Sequence, residues 1–218
     1  MRDIFQTFFN FVGIFFVIYM IGYASFLFLS VVVGSSTLYG LKRRNMLKNE
    51  LPSDYYIPVS VIVPAHNEAV TIEATVRSLL ALQYKVYEII VVDDGSTDTT
   101  ADVVREHFHM RHVNRPIQRS LHCQPEEAVY ESRSFKVPIT LICKRNGGKA
   151  DSLNMGINAS RYPYFLCLDA DSVLQSDSLE KIVRPVLEDD RVVAVGGAVR
   201  PGNGAELENG RLINYHMP

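Results

Sequence analysis

From Ile4 to Val33 the chain runs thirty residues without an Asp, Glu, Lys, Arg or His. As one helix this stretch would rise about 45 Å, whereas a bilayer core needs only about twenty residues. The surplus can tilt or lie in the interface. A cleaved secretory leader has an apolar region of roughly 7–15 residues, about half of what is present, so a retained transmembrane helix over residues 1–33 is the expectation. Residues 34–57 then read as a polar linker, with Gly34-Ser35-Ser36 at one end and Pro52-Ser53-Asp54 at the other.

From residue 58 onward the period changes. Pro58 to Val63 is a short β-branched run closed by Pro64, and Tyr87–Val92, Ile139–Cys143 and Tyr164–Leu168 are further apolar runs of strand length. Between them apolar residues recur at helical spacing: Ile72, Val76, Leu79 and Leu80, then Ala101, Val104 and Phe108, then Ala150, Leu153 and Ile157. A last helix carries Leu179, Ile182, Val183 and Val186, with a bend expected at Pro185, and Val192–Val195 begins a fifth strand. Strands apolar on both faces and alternating with helices predict an α/β fold with a mostly parallel sheet covered on both sides. Residues 109–137 are the exception, a polar stretch read as a solvated insertion. Four of the six histidines (His107, His109, His112, His122) fall in or beside it, without the carboxylate-supported spacing of a metal site.

Composition excludes disorder, collagen-like repeats and a small disulfide scaffold. A net charge of −2 provides no footprint for nucleic acid. Lys42, Arg43, Arg44 and Lys48 follow the apolar stretch, against Arg2 and the amino terminus before it, which orients the rest of the chain toward the cytoplasm, with membrane lipid as the anchor's partner. Cys123, Cys143 and Cys167 are odd in number, form no C-x-x-C, and read as reduced packing residues.

In open α/β sheets ligands sit beyond the carboxyl ends of the strands. Here strand one is followed by Pro64-Ala65-His66-Asn67-Glu68, strand two by Asp93-Asp94-Gly95-Ser96-Thr97-Asp98, strand three by Asn146-Gly147-Gly148-Lys149, and strand four by Asp169-Ala170-Asp171. Four polar strand ends should converge on one edge. A lone D-x-D occurs about once by chance in a chain this long, and a surface turn is the bland account. Carboxylates at i and i+2 of an extended segment point the same way, however, and repel unless a proton or cation lies between them. Hard oxygen ligands of this kind suit Mn²⁺ or Mg²⁺, which complete their shell with substrate phosphates. Asp98 and Gly95 fit a helix N-cap and a turn, leaving Asp93 and Asp94 for a nucleobase imide or ribose hydroxyl. The Asn146–Lys149 segment is either a flexible connection or a phosphate loop; it lacks the Walker spacing, and no G-x-G-x-x-G follows the first strand. His66 is read as filling out the first loop rather than as a catalytic base.

Taken together, Val59–Glu68, Val91–Asp98, Asn146–Ala150 and Asp169–Ser172 resemble the ordered motifs of the family 2 glycosyltransferases, and most of all the membrane-bound polysaccharide synthases of the poly-N-acetylglucosamine, hyaluronan, chitin and cellulose type. The resemblance covers about residues 58–200. It implies a GT-A fold over residues 58–218 and an inverting transfer from a nucleotide sugar, commonly UDP-linked, to a glycan or lipid-linked acceptor. Carried over, Pro64, Ala65, Asn67, Glu68, Asp93 and Asp94 would hold the nucleoside. Asn146, Gly147, Gly148 and Lys149 would flank the diphosphate, and Asp169 and Asp171 would hold the metal, Asp169 also contacting the donor. No general base with family context appears; Glu206 and Glu208 lie in a Gly- and Asn-rich stretch. The chain is therefore expected to be the donor-binding half of a longer enzyme. A polyprenyl-phosphate glycosyltransferase shares that half, and a non-catalytic, membrane-tethered nucleotide-sugar binder is a further reading.

Overall fold

The structure, a computed structural model, describes residues 2–48, 56–199, 205–208 and 211–215. It divides into two compact units, residues 1–55 and 56–218. In the first, helix α1 spans Arg2–Lys48. Its segment Phe8–Ser35, with a mean hydropathy of 2.3, is long and apolar enough to cross a membrane. The hydroxyls of Ser25 and Ser30 donate back to the carbonyls of Ile21 and Phe26, each at 2.8 Å, so neither is left unsatisfied in an apolar setting. The helix does not stop at Val33. It runs through Gly34-Ser35-Ser36, which corrects the expected start of a linker. The residues that follow are largely Leu, Lys, Arg and Met, good helix formers, and no proline intervenes before Pro52. The Pro52-Ser53-Asp54 end of that linker lies outside the described residues.

The second unit is built on a six-stranded sheet. Its strands are β1 (Val59–Ala65), β2 (Tyr87–Asp94), β3 (Arg111–His112), β4 (Glu126–Ser132), β5 (Ile139–Lys144) and β6 (Tyr164–Cys167), in the order β3-β4-β5-β2-β1-β6. β1, β2, β5 and β6 are mutually parallel, while β4 pairs antiparallel with β5 and β3 antiparallel with β4. Helices α2 (Ile72–Leu80), α3 (Thr100–His107), α4 (Lys149–Ala159) and α5 (Ser178–Glu188) complete the α/β alternation, and a separate hairpin pairs β7 (Ala205–Glu208) with β8 (Arg211–Tyr215). Alternation along β1 and β2 splits the core in two. Val61, Val63, Ile89 and Val91 pack with Ile72, Val76, Leu79, Val104 and Phe108, whereas Ile62, Ile90 and Val92 pack with Met155 and Ala159 of α4.

Several expectations are corrected. The polar stretch 109–137 contains β3 and β4. Glu126, Glu127 and Glu131, paired with arginines from outside β4, hid the alternation around Val129. β6 is itself an edge strand, so Tyr164 and Phe165 are about half exposed rather than covered on both faces. Val192–Val195 joins no ladder, and Val193 is 97% exposed. Cys123 is buried, but Cys167 is exposed and so packs less than foreseen; all three cysteines are free.

The face of α4 also differs. Ser152, Met155, Gly156 and Ala159 are buried, Leu153 and Ile157 only partly, and Ala150 is exposed. Gly156 is the cause, because a Cβ there would stand 2.3 Å from Ile62 Cγ2. Gly156→Ala gains about 1 kcal/mol of helix propensity. The overpacking against β1 costs about 1–3 kcal/mol, so net destabilisation is expected, read as a lowered denaturation midpoint.

Candidate active site at the strand tips

The loops beyond β1, β2, β5 and β6 meet, as the parallel register dictates. They enclose a cavity of about 250 Å³. Pro64, Ala65, His66 and Glu68 line it from the first loop, Asp94 from the second, Lys149 and Ser152 from the start of α4, and Asp169, Ala170 and Asp171 from the fourth.

The D-x-D turn is held from behind. Thr75, a buried hydroxyl on the apolar stripe of α2, donates to the Ala170 carbonyl at 2.7 Å, and the amide of Ser172 donates to the Asp169 carbonyl at 3.0 Å. Sequence reasoning passed over Thr75; its signal was a polar residue at a core position of an amphipathic helix. Asp169 accepts an ion pair from Lys149 at 2.6 Å, with both side chains more than half exposed. That hydrogen bond is the main reason the Lys149 ammonium titrates above the ordinary lysine range. An exposed pair of this kind contributes roughly 0–1 kcal/mol. Asp171 is exposed, with the Ser172 hydroxyl 3.5 Å away and the Lys149 charge close enough to interact with it.

The first two loops are laced together. Asn67, at φ +57, accepts the Thr97 amide at 2.8 Å and the Asp98 amide at 3.3 Å through its side-chain oxygen, while its own amide donates to Ser96 Oγ at 2.9 Å. Glu68 donates its amide to Thr100 Oγ1 at 2.8 Å and accepts the Thr71 hydroxyl at 2.7 Å. Asp98 accepts the Thr100 amide at 2.9 Å, but the helix cap is Thr99, one residue later than Asp98.

The adjacent acids Asp93 and Asp94 divide by strand alternation. Asp94 faces the α4 side, where its carboxylate accepts Lys144 Nζ and the amides of Gly147 (3.0 Å) and Gly148 (2.8 Å). Burial works against its ionisation, but the Lys144 and Gly147 hydrogen bonds prevail and hold the carboxyl below the usual range. Asp93 is buried on the other face, and burial pushes its carboxyl up, against hydrogen bonds from Ser96. Its Oδ1 has no hydrogen-bond partner.

Of the residues singled out in the sequence, Pro64, Ala65, Glu68, Asp94, Lys149, Asp169 and Asp171 line the cavity. Asn67, Asp93, Asn146, Gly147 and Gly148 do not. Asn67 is consumed in joining two loops, and Gly147 and Gly148 turn their amides toward Asp94. Asn146 donates to the Asp94 carbonyl at 3.0 Å. Lys144 was not foreseen, because nothing in an apolar run ending in lysine shows that the lysine is buried. His66 places Nδ1 3.0 Å from the Asp94 carbonyl oxygen, in keeping with a loop-filling role. The other histidines disperse: His107 pairs with Glu73, His109 stacks on Phe135 and His112 meets Tyr130 edge-on. Among the described residues no three His, Cys, Asp or Glu side chains cluster to cage a metal. Two carboxylates with no third ligand fit an ion that draws the rest of its shell from phosphate and water.

Fold and cavity define an α/β protein whose strand tips collect acidic and basic groups around one cleft. Residues 60–122 and 126–216 match Glycosyl transferase family 2, and the chain belongs to that family. Among curated relatives, a poly-beta-1,6-N-acetyl-D-glucosamine synthase of Staphylococcus aureus is 29% identical over 192 residues, and one of Staphylococcus epidermidis is 26% identical. Each match covers 87% of this chain and 40% of the relative, so the chain spans about two fifths of their length. Among solved structures, a mannosyltransferase from Pyrobaculum calidifontis in complex with GDP-Man and Mn²⁺ aligns with a TM-score of 0.47 at 26% identity, covering 70% of this chain and 40% of that one. S. aureus TarS in complex with UDP-GlcNAc aligns with a TM-score of 0.44 at 21% identity, covering 61% and 32%.

Proposed function

We propose that the chain is the donor-binding part of a membrane-anchored, inverting glycosyltransferase that takes a UDP-linked sugar, with Mn²⁺ or Mg²⁺, to extend a polysaccharide. The observation that carries this reading is the convergence of Lys149, Asp169, Asp171 and Glu68 on one cavity at the tips of parallel strands. Asp169 and Asp171 would hold the cation, which when bound offsets the negative charge gathering on the departing diphosphate. Lys149 supplies a point positive charge to the same diphosphate once it leaves Asp169. Asp93 keeps a buried oxygen for a base imide or ribose hydroxyl, whereas the Asp94 carboxylate is already committed. The first loop, laced to the second by Asn67, forms the wall against which the nucleoside rests. Phe8–Ser35 would cross the membrane, and the cations after it would keep the second unit on the cytoplasmic side.

The test is a calorimetric titration of the full chain in detergent with UDP and GDP, each with and without Mn²⁺. UDP binding that requires the cation is the expected result. Absence of binding to either nucleotide in the presence of Mn²⁺ would sink the reading.

A further inference from the structure

Lys144 ends β5 with its side chain at 0% exposure. A buried ammonium is tolerated only when its protons are matched by acceptors. Its three donors find three: the Asp94 carboxylate, Asp151 Oδ1 at 2.7 Å and the Arg145 carbonyl at 2.8 Å. The two carboxylates bind further backbone. Asp94 takes the amides of Gly147 and Gly148. Asp151, in the first turn of α4, takes the Gln124 amide on both oxygens, at 3.1 and 3.0 Å. Asp151 also lies against Gly147, where a Cβ would stand 2.6 Å from its Cγ. One cation therefore ties the end of β2, the Asn146–Gly148 turn, the first turn of α4 and the chain at Gln124. Lys149 begins that helix and reaches Asp169 across the cavity.

We propose that Lys144 is a positioning residue for the donor's diphosphate. It touches no ligand, but through Asp94 and Asp151 it fixes the turn and helix start from which Lys149 projects. This rests on the donor-binding reading above. A lysine serving only as a stability anchor would affect every ligand alike, whereas a positioning lysine affects the phosphate end alone. The Asn146–Gly148 turn carries two glycines, Gly148 at φ +89, and has little stiffness of its own once the clamp is released.

The test compares UDP with uridine, which lacks the phosphates, on the full chain in detergent with Mn²⁺. Lys144→Met is expected to weaken UDP binding about tenfold or more while uridine binding stays within about twofold, since misplacement of a positioning group costs on this scale. Asp151→Asn keeps the Lys144–Asp94 pair and removes one arm of the clamp; it should show the same selectivity with a smaller loss. Should Lys144→Met fail to fold, Asp151→Asn decides. Equal loss for both ligands, or unchanged UDP affinity in a folded variant, overturns the positioning role. A parent protein that binds neither UDP nor uridine overturns the donor-binding reading itself, and the positioning role with it.

Discussion

Asp171→Asn is expected to weaken Mn²⁺-dependent UDP binding by at least about tenfold, since even residues supporting a metal ligand cost 10–100-fold when changed. The substitution keeps the side-chain shape and removes one negative charge from the pair. Asp171 is exposed and, among the described residues, accepts a hydrogen bond only from a distant Ser172 hydroxyl, so the fold does not depend on it. Melting temperature without ligand should therefore match the parent protein, while the stabilisation added by Mn²⁺ and UDP largely disappears. Asp169→Asn is the less clean experiment, because it also releases Lys149. Calorimetry giving Asp171→Asn the parent affinity would remove the D-x-D turn from the site.

The largest stability effect belongs to Asp94→Ala. It leaves the fully buried Lys144 with Asp151 as its only carboxylate and strips the Gly147 and Gly148 amides of their acceptor. Removing one partner of a buried pair costs about 3–5 kcal/mol. For a unit of this size that corresponds to a fall in melting temperature of about 6–20 °C by scanning calorimetry. The same pair sets a pH dependence at both ends. The folded Asp94 carboxyl lies below its unfolded value of 3.8, so its contribution is present above that pH and is lost as pH falls through the depressed value. Lys144 lies above its unfolded 10.5: burial opposes its charge, but hydrogen bonds to Asp151 and Asp94 prevail. Its contribution is complete below that pH and fades as pH rises through the elevated value. Asp93 works the opposite way at the acid end, since its raised carboxyl relieves strain on protonation before Asp94 gives way. Asp94→Ala should shrink the acid limb by Asp94's share and weaken the alkaline limb, which Asp151 still supports; a variant with both limbs unchanged would show that the pair does not contribute to them.

The chemistry-bearing tips were legible because parallel strands covered on both faces leave unbroken apolar runs, and whatever follows such a run stands at the sheet edge. What each tip residue does was less legible. Asp93 and Asp94 are equivalent in the sequence; the partner that separates them, Lys144, arrives fifty positions later on β5. The glycines of the third loop suggested phosphate, but their amides are taken by Asp94. β4 was hidden because Glu126, Glu127 and Glu131 interrupt its alternation, each paired with an arginine from outside the strand (Arg119, Arg145, Arg115 and Arg161). The inward face of α4 was set by one close approach between Gly156 and Ile62, invisible to periodicity. The helical backbone beyond Val33 follows ordinary helix-forming residues that polarity alone had assigned to a linker.

The clamp around Lys144 draws its members from three separated stretches, at Asp94, at Gln124 and at Lys144–Asp151. Anyone transplanting the glycine turn into another scaffold, or exchanging it to alter donor preference, would have to move all of them as one block. Carrying the turn alone would bring over its shape in name only, with a stranded carboxylate or ammonium left behind in the host.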